Sequence, residues 1–194
     1  MRNRGRVGRG LLALLLALVL GALAAWLSYE PPVPPIAASA LPLSIEAEVD
    51  SIDDGDSFVA RAPGHGRLRV RLHAVDTPER VQAYGAEARD ALRGLIEGRR
   101  VALDCYKRDP RGRAVCRVAL ERNGARIDVG LLMVERGLAW HYRAFIDEQS
   151  ADERRALQAA EAQARSARRG LWQQAAPMPP WTCRERLRSA QSCA

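Results

Sequence analysis

Apolar and polar residues alternate along much of the stretch from Leu43 to Val75. In RLRVRLHAV (67–75), Leu68, Val70, Leu72 and Ala74 fall on one side of an extended chain, and Arg67, Arg69, Arg71 and His73 on the other. That period of two predicts a strand with one face on a core and the other in solvent. SIEAEV and DSFVAR flank the turn DDGD and predict two more strands. The period then changes: Ala88, Ala91, Leu92, Leu95 and Ile96 recur at helical spacing and predict a helix from about Gln82 to Glu97, stopped by Gly98. Two strands follow near 101–106 and 113–120, then a short amphipathic helix over Ile127 to Gly137 and a longer one over Ala151 to Arg169, ended by Gly170. No internal repeat is present. This order suggests an α+β protein, mainly β: a five-stranded OB-fold barrel with about three packed α-helices.

The N-terminus adds an export segment to that picture. A basic start precedes a 17-residue apolar run, Leu11 to Leu27, and Ala22-Leu23-Ala24 offers a small-x-small cleavage site. The expected organisation is a signal peptide or N-terminal membrane anchor at 1–27, a Pro-rich linker at 28–42, the barrel domain at 43–172 and a Cys-containing tail at 173–194. Either fate of the first segment delivers the domain outside the cytoplasm, periplasmic or secreted, with membrane contact if the segment is retained. The net charge of +7 includes four arginines and one glutamate in the first forty residues, so the remainder carries +4. A mildly basic body suits an anionic partner such as nucleic acid or a membrane surface. The four cysteines lack metal-site spacing, which argues against zinc and for disulfides. Cys105 and Cys116 lie in two strand-like runs joined by the turn-rich KRDPRG, so a hairpin would pair them, leaving Cys183 to pair with Cys193.

The remaining charged residues carry the chemistry. Asp56 and Asp76 place hard carboxylate oxygens at strand ends, the donors that Ca²⁺ or Mg²⁺ takes. The spacing around Asp54 and Asp56 is not that of an EF-hand, so a metal would be assembled from separate segments. Pro78 rigidifies the turn that carries Glu79, a carboxylate placed to orient or deprotonate water. Arg71 and Arg113 could offset the charge that develops on a phosphate under attack. Together these parts describe metal-assisted hydrolysis of a phosphodiester.

DGDS, RLHAVDTPE, YGAEA, DPRGR, RGLAW and GLW occur in the order and at roughly the spacing of the staphylococcal nuclease-like (thermonuclease) family, which the chain resembles over about Ile45 to Trp172. The resemblance implies an OB-fold barrel with three helices and Ca²⁺-dependent cleavage of DNA and RNA to 3′-phosphate ends. It makes Asp56 and Asp76 the Ca²⁺ carboxylates, Thr77 a ligand through its carbonyl, Glu79 the general base, and Arg71 and Arg113 the pair on the phosphate. Two positions depart from the family pattern: Arg111 replaces a tyrosine that helps hold the nucleotide, and Ser57 replaces a threonine. Arg111 and Tyr84 are candidate substrate contacts, and Asp54 would tune the metal indirectly. The three histidines, His65, His73 and His141, are expected to be structural or exposed, and Trp140, Tyr142 and Trp172 to pack the helices. The expected state is a monomer. The alternative to a nuclease is a non-catalytic nucleic-acid or protein-binding module on the same barrel.

Overall fold

The computed structural model describes residues 41–193; the expected export segment and nearly all of the Pro-rich linker lie outside the described residues. Strands β1 (Leu43–Ile52), β2 (Ser57–Ala62) and β3 (Gly66–Leu72) form an antiparallel meander. A two-residue strand, β4 (Val75–Asp76), is followed after the first helix by β5 (Arg100–Arg108) and β6 (Ala114–Arg122). The sheet order β3-β2-β1-β5-β6 closes through a parallel pairing of β3 with β6, making the expected five-stranded barrel.

Alternation decides which side chains fill it. Ala47 and Val49 of β1, Phe58 and Ala60 of β2, Leu68, Val70 and Leu72 of β3, Val101 and Leu103 of β5 and Val118 of β6 are all buried. In β1 the alternation slips at a bulge between Val49 and Ser51, after which Ile52 takes the inward position. Cys105 and Cys116 lie opposite one another in the β5–β6 register and are disulfide-bonded, and Cys183 is bonded to Cys193.

Among the described residues four α-helices pack around the barrel or follow it: α1 (Gly85–Ile96), α2 (Val129–Glu135), α3 (Ala151–Ser166) and α4 (Pro180–Arg188). α1 turns Ala88, Leu92, Leu95 and Ile96 into the core. α3 opens on a capping box in which Ser150 accepts from the Glu153 amide while the Glu153 carboxylate accepts from Ser150. A second apolar cluster joins Trp140, Ala164, Leu171 and Trp172, with Tyr84 and Trp181 against it. Trp140 and Trp172 thus pack elements together, as expected.

Several expectations are corrected. α1 begins at Gly85 rather than Gln82, because the Gln82 side chain accepts from the Glu79 amide and Tyr84 takes a left-handed φ of 68°. The segment expected as one helix from Ile127 begins as strand β7 (Ala125–Asp128), paired with β6 through a turn in which Asn123 and Gly124 both have positive φ. Asp128 then caps α2 by accepting from the Leu131 amide at 2.7 Å. α3 ends at Ser166, three residues before its expected end. The outer-face pattern of β3 stops at Leu72: His73 is buried and Ala74 has φ 60°.

Tyr106 donates its hydroxyl to Glu148 at 2.9 Å and so accepts from His73 Nδ1 at 2.7 Å, which fixes the neutral tautomer with Nε2 unprotonated. Burial, helped by nearby Arg117, lowers the His73 pKa to about 4. Since this lies below the ordinary value of 6.5, the fold favours the neutral ring. The resulting stability is complete above pH 6.5 and is lost as pH falls toward 4, up to about 3 kcal/mol. Urea unfolding at pH 7.0 and 4.5 should show this loss in the wild type and a smaller one in His73→Gln.

Candidate active site

The turn between β1 and β2 is built for one carboxylate. Asp54 Oδ1 accepts from the Asp56 amide at 3.1 Å and the Ser57 hydroxyl at 2.7 Å, forming a closed Asx turn. That turn points the buried Asp56 toward β4, where its Oδ2 accepts from the Thr77 amide at 3.0 Å. Gly55 permits the approach, because a Cβ there would lie 2.7 Å from the Thr77 hydroxyl and from the Ala88 methyl.

Asp76 arrives through a long-range pairing. β4 is held by β8 (Trp140–His141), with Asp76 opposite Trp140, and Asp76 is 2% exposed. Arg71, at the end of β3, spans both acids: Nη1 lies 3.1 Å from Asp56 and Nη2 donates to Asp76 Oδ1 at 2.9 Å. Nη1 also donates to the Val75 carbonyl at 2.8 Å, which fixes the plane of the guanidinium. The alternation that placed Arg71 on the outer face is right, yet its side chain is only 12% exposed because this charge cluster encloses it.

Burial pushes the Asp56 carboxyl well above the usual carboxylate range despite Arg71, and Asp54 and Asp76 push it further. Among the described residues no three His, Cys, Asp or Glu side chains form a closed metal cage. Asp56 and Asp76 supply two hard carboxylates, with the Thr77 backbone beside them. This set fits a divalent cation that keeps part of its coordination in water.

Glu79 sits at the end of the VDTPE turn, its amide fixed by Gln82 Oε1 at 2.9 Å. Gly85 is needed here: a Cβ would stand 2.2 Å from the Glu79 carbonyl oxygen. Gly85→Ala should displace the turn at a cost of about 2 kcal/mol. Thermal denaturation would register the loss, and the Glu79 carboxylate would move with its backbone.

The other expected residues are held by partners outside that cluster. Arg113 pairs through Nε with Asp109 at 2.7 Å, within the β5–β6 loop. The parallel register of Val70 with Ala114 runs that loop alongside β3. Arg111 is exposed in the same loop, its amide donating to Asp109. Tyr84 is half-buried against the tryptophan cluster.

One residue that the sequence analysis did not single out completes the cluster. Arg184 of α4 donates to Asp76 Oδ2 at 2.7 Å, to Asp76 Oδ1 at 3.2 Å and to Glu79 Oε1 at 2.7 Å. The available signal was a cysteine-bounded tail rich in arginine; nothing local marked this arginine over its neighbours.

Comparison with known proteins agrees with the geometry. The family profile described as Staphylococcal nuclease homologue matches residues 69–174, a span that includes Arg71, Asp76, Thr77, Glu79, Tyr84, Arg111 and Arg113. The staphylococcal-like nuclease CAN1 of Arabidopsis thaliana is 36% identical over 122 residues, 63% of this chain and 35% of the plant protein. The probable staphylococcal-like nuclease CAN1 of Oryza sativa subsp. japonica is 34% identical over 123 residues, and the chain again spans about a third of that protein's length. An uncharacterized endonuclease of Escherichia coli O157:H7 is 31% identical over 142 residues, 73% of this chain and 86% of the bacterial protein. The barrel, the Asp56–Arg71–Asp76 cluster and these matches lead to one assignment: the chain belongs to the staphylococcal nuclease homologue family.

Proposed function

We propose that the protein is an exported, calcium-dependent nuclease that hydrolyses phosphodiester bonds of DNA and RNA and leaves 3′-phosphate ends. The observation that carries this reading is the convergence of Asp56, Arg71 and Asp76 at one end of the barrel, joined by short ion pairs, with Glu79 linked to Asp76 through Arg184. The endonuclease and nuclease names of the relatives support the same reaction class. Export is supported by the apolar run Leu11 to Leu27 and by two disulfides, bonds that persist in oxidising compartments. The protein would act as a monomer, with membrane contact if that run is retained.

Asp56, Asp76 and the Thr77 carbonyl would hold Ca²⁺, which when bound supplies charge neutralisation at the phosphate and polarises water. Glu79 takes a proton from the attacking water, whose oxygen forms the new bond to phosphorus. The bond from phosphorus to the 5′ oxygen breaks, that oxygen takes a proton from solvent water, and a 5′-hydroxyl is released while phosphate stays on the 3′ side. Arg71 donates to the phosphate oxygens as their charge grows. Arg113, held by Asp109 through Nε, keeps its two Nη groups to offer the same phosphate. Exposed Arg111 adds a phosphate contact rather than a stacking surface.

End-group analysis tests the polarity of cleavage. Oligonucleotide products should become extendable by a polymerase only after 3′-dephosphorylation; products extendable at once would contradict the mechanism.

A further inference from the structure

The carboxylates of the site are already engaged by a residue from the far end of the chain. Asp76 accepts from Arg71 and Arg184 at Oδ1 and from Arg184 at Oδ2, and Glu79 Oε1 accepts from the same Arg184 guanidinium. A divalent cation bound by Asp76 would sit 2.3–2.6 Å from one of those oxygens. It would then stand beside a guanidinium nitrogen already held there, two positive charges with little water between them to screen the repulsion.

The segment that delivers Arg184 is braced but only lightly cored. Pro177, Pro179 and Pro180 stiffen the approach, and the Gln82 side chain donates to the Met178 carbonyl at 2.9 Å. Trp181 rests against Trp140 and Tyr142. The Cys183–Cys193 disulfide closes the tail on the residue next to Arg184. A cleft of about 240 Å³, lined by Pro78, Val81, Trp140, Met178 and Cys193 among others, separates the Glu79 turn from the incoming tail. The arm is therefore held by an ion-pair fork, an aromatic contact and a covalent loop.

We propose that Arg184 is a built-in competitor of the cation: the seated C-terminal arm and a cation bound at Asp76 exclude one another, and the Cys183–Cys193 loop sets how strongly the arm competes. This inference rests on the assignment of Asp56 and Asp76 as cation ligands. With the arm seated, Glu79 is also paired with a cation and is a poorer base. Binding of the metal must first lift Arg184, so apparent cation affinity reports the difference between the two contacts. Opening the disulfide loosens the arm and shifts the balance toward the metal.

Calorimetric titration of Ca²⁺ into the full chain, Arg184→Ala and the Cys183→Ser/Cys193→Ser double variant reads this directly. Arg184→Ala should bind Ca²⁺ at least tenfold more tightly than the wild type, and the double variant more tightly by a smaller factor. Amide hydrogen exchange over 180–188 in the wild type should speed up on saturation with Ca²⁺, a readout that needs no variant to fold. Equal affinities in wild type and Arg184→Ala, or unchanged exchange in the arm despite measured binding, overturn the competition and leave the cation assignment standing. Absence of Ca²⁺ binding in all three proteins overturns the cation assignment, and the competition falls with it.

Discussion

A Glu79→Gln variant is expected to cleave single-stranded DNA about 10²- to 10⁴-fold more slowly than the wild type, the range lost when a positioned general base is removed. Glutamine keeps the size of the side chain and an oxygen that can accept from Arg184, so the turn should survive. The amide cannot take up the proton of the attacking water. Two features make the change clean: the Glu79 backbone is held independently by Gln82 and by contact with Gly85, and Glu79 is not among the residues proposed to hold Ca²⁺. Turnover should therefore fall, while apparent Ca²⁺ affinity is kept or raised, because the Arg184 arm loses its ion pair with Glu79. Single-turnover cleavage alongside calorimetry separates the two, and unchanged turnover would remove Glu79 from the mechanism.

The second large effect is on stability. Arg71→Ala should cost about 3 kcal/mol, the lower end of the range for removing one partner of a buried ion pair. Arg71 is 12% exposed on its side chain, and Asp56 and Asp76 are 7% and 2% exposed on theirs. Asp76 would keep Arg184, but Asp56 would lose the only cation it pairs with among the described residues. A urea midpoint shift with an unchanged slope is the expected signature. Activity should fall as well, because the same guanidinium is assigned to the phosphate. A variant as stable as the wild type would show that the acids are not strained by their proximity.

What the sequence disclosed and what it withheld follow from how local each determinant is. The outward register of Arg71 needed only the alternation of β3, and the Cys105–Cys116 bond needed only a hairpin closed over eleven residues. Asp56, Asp76 and Glu79 lie in or beside short turns whose Asp, Gly and Pro content marks them. His73 was misplaced because β3 yields to a turn and a two-residue strand that pairs with Trp140 and His141, a partner remote in sequence. IDVGLLMV carries a helical apolar pattern throughout, and only the Asn123-Gly124 turn draws its first residues into a strand. Arg184 is 108 residues from Asp76, and its contact depends on how a braced tail folds back across the barrel. Spacing rules, which act over one turn of helix or strand, contain no term for such a contact.

The cluster at the barrel end is proposed to perform cation-dependent hydrolysis. The most direct test is incubation of the purified protein with a labelled single-stranded DNA, in Ca²⁺ and after chelation. Cleavage in Ca²⁺ that stops on chelation and resumes on replenishment is the predicted result. A folded, disulfide-intact protein that retains the DNA but leaves it uncut in Ca²⁺ would contradict the account and assign the barrel to binding alone.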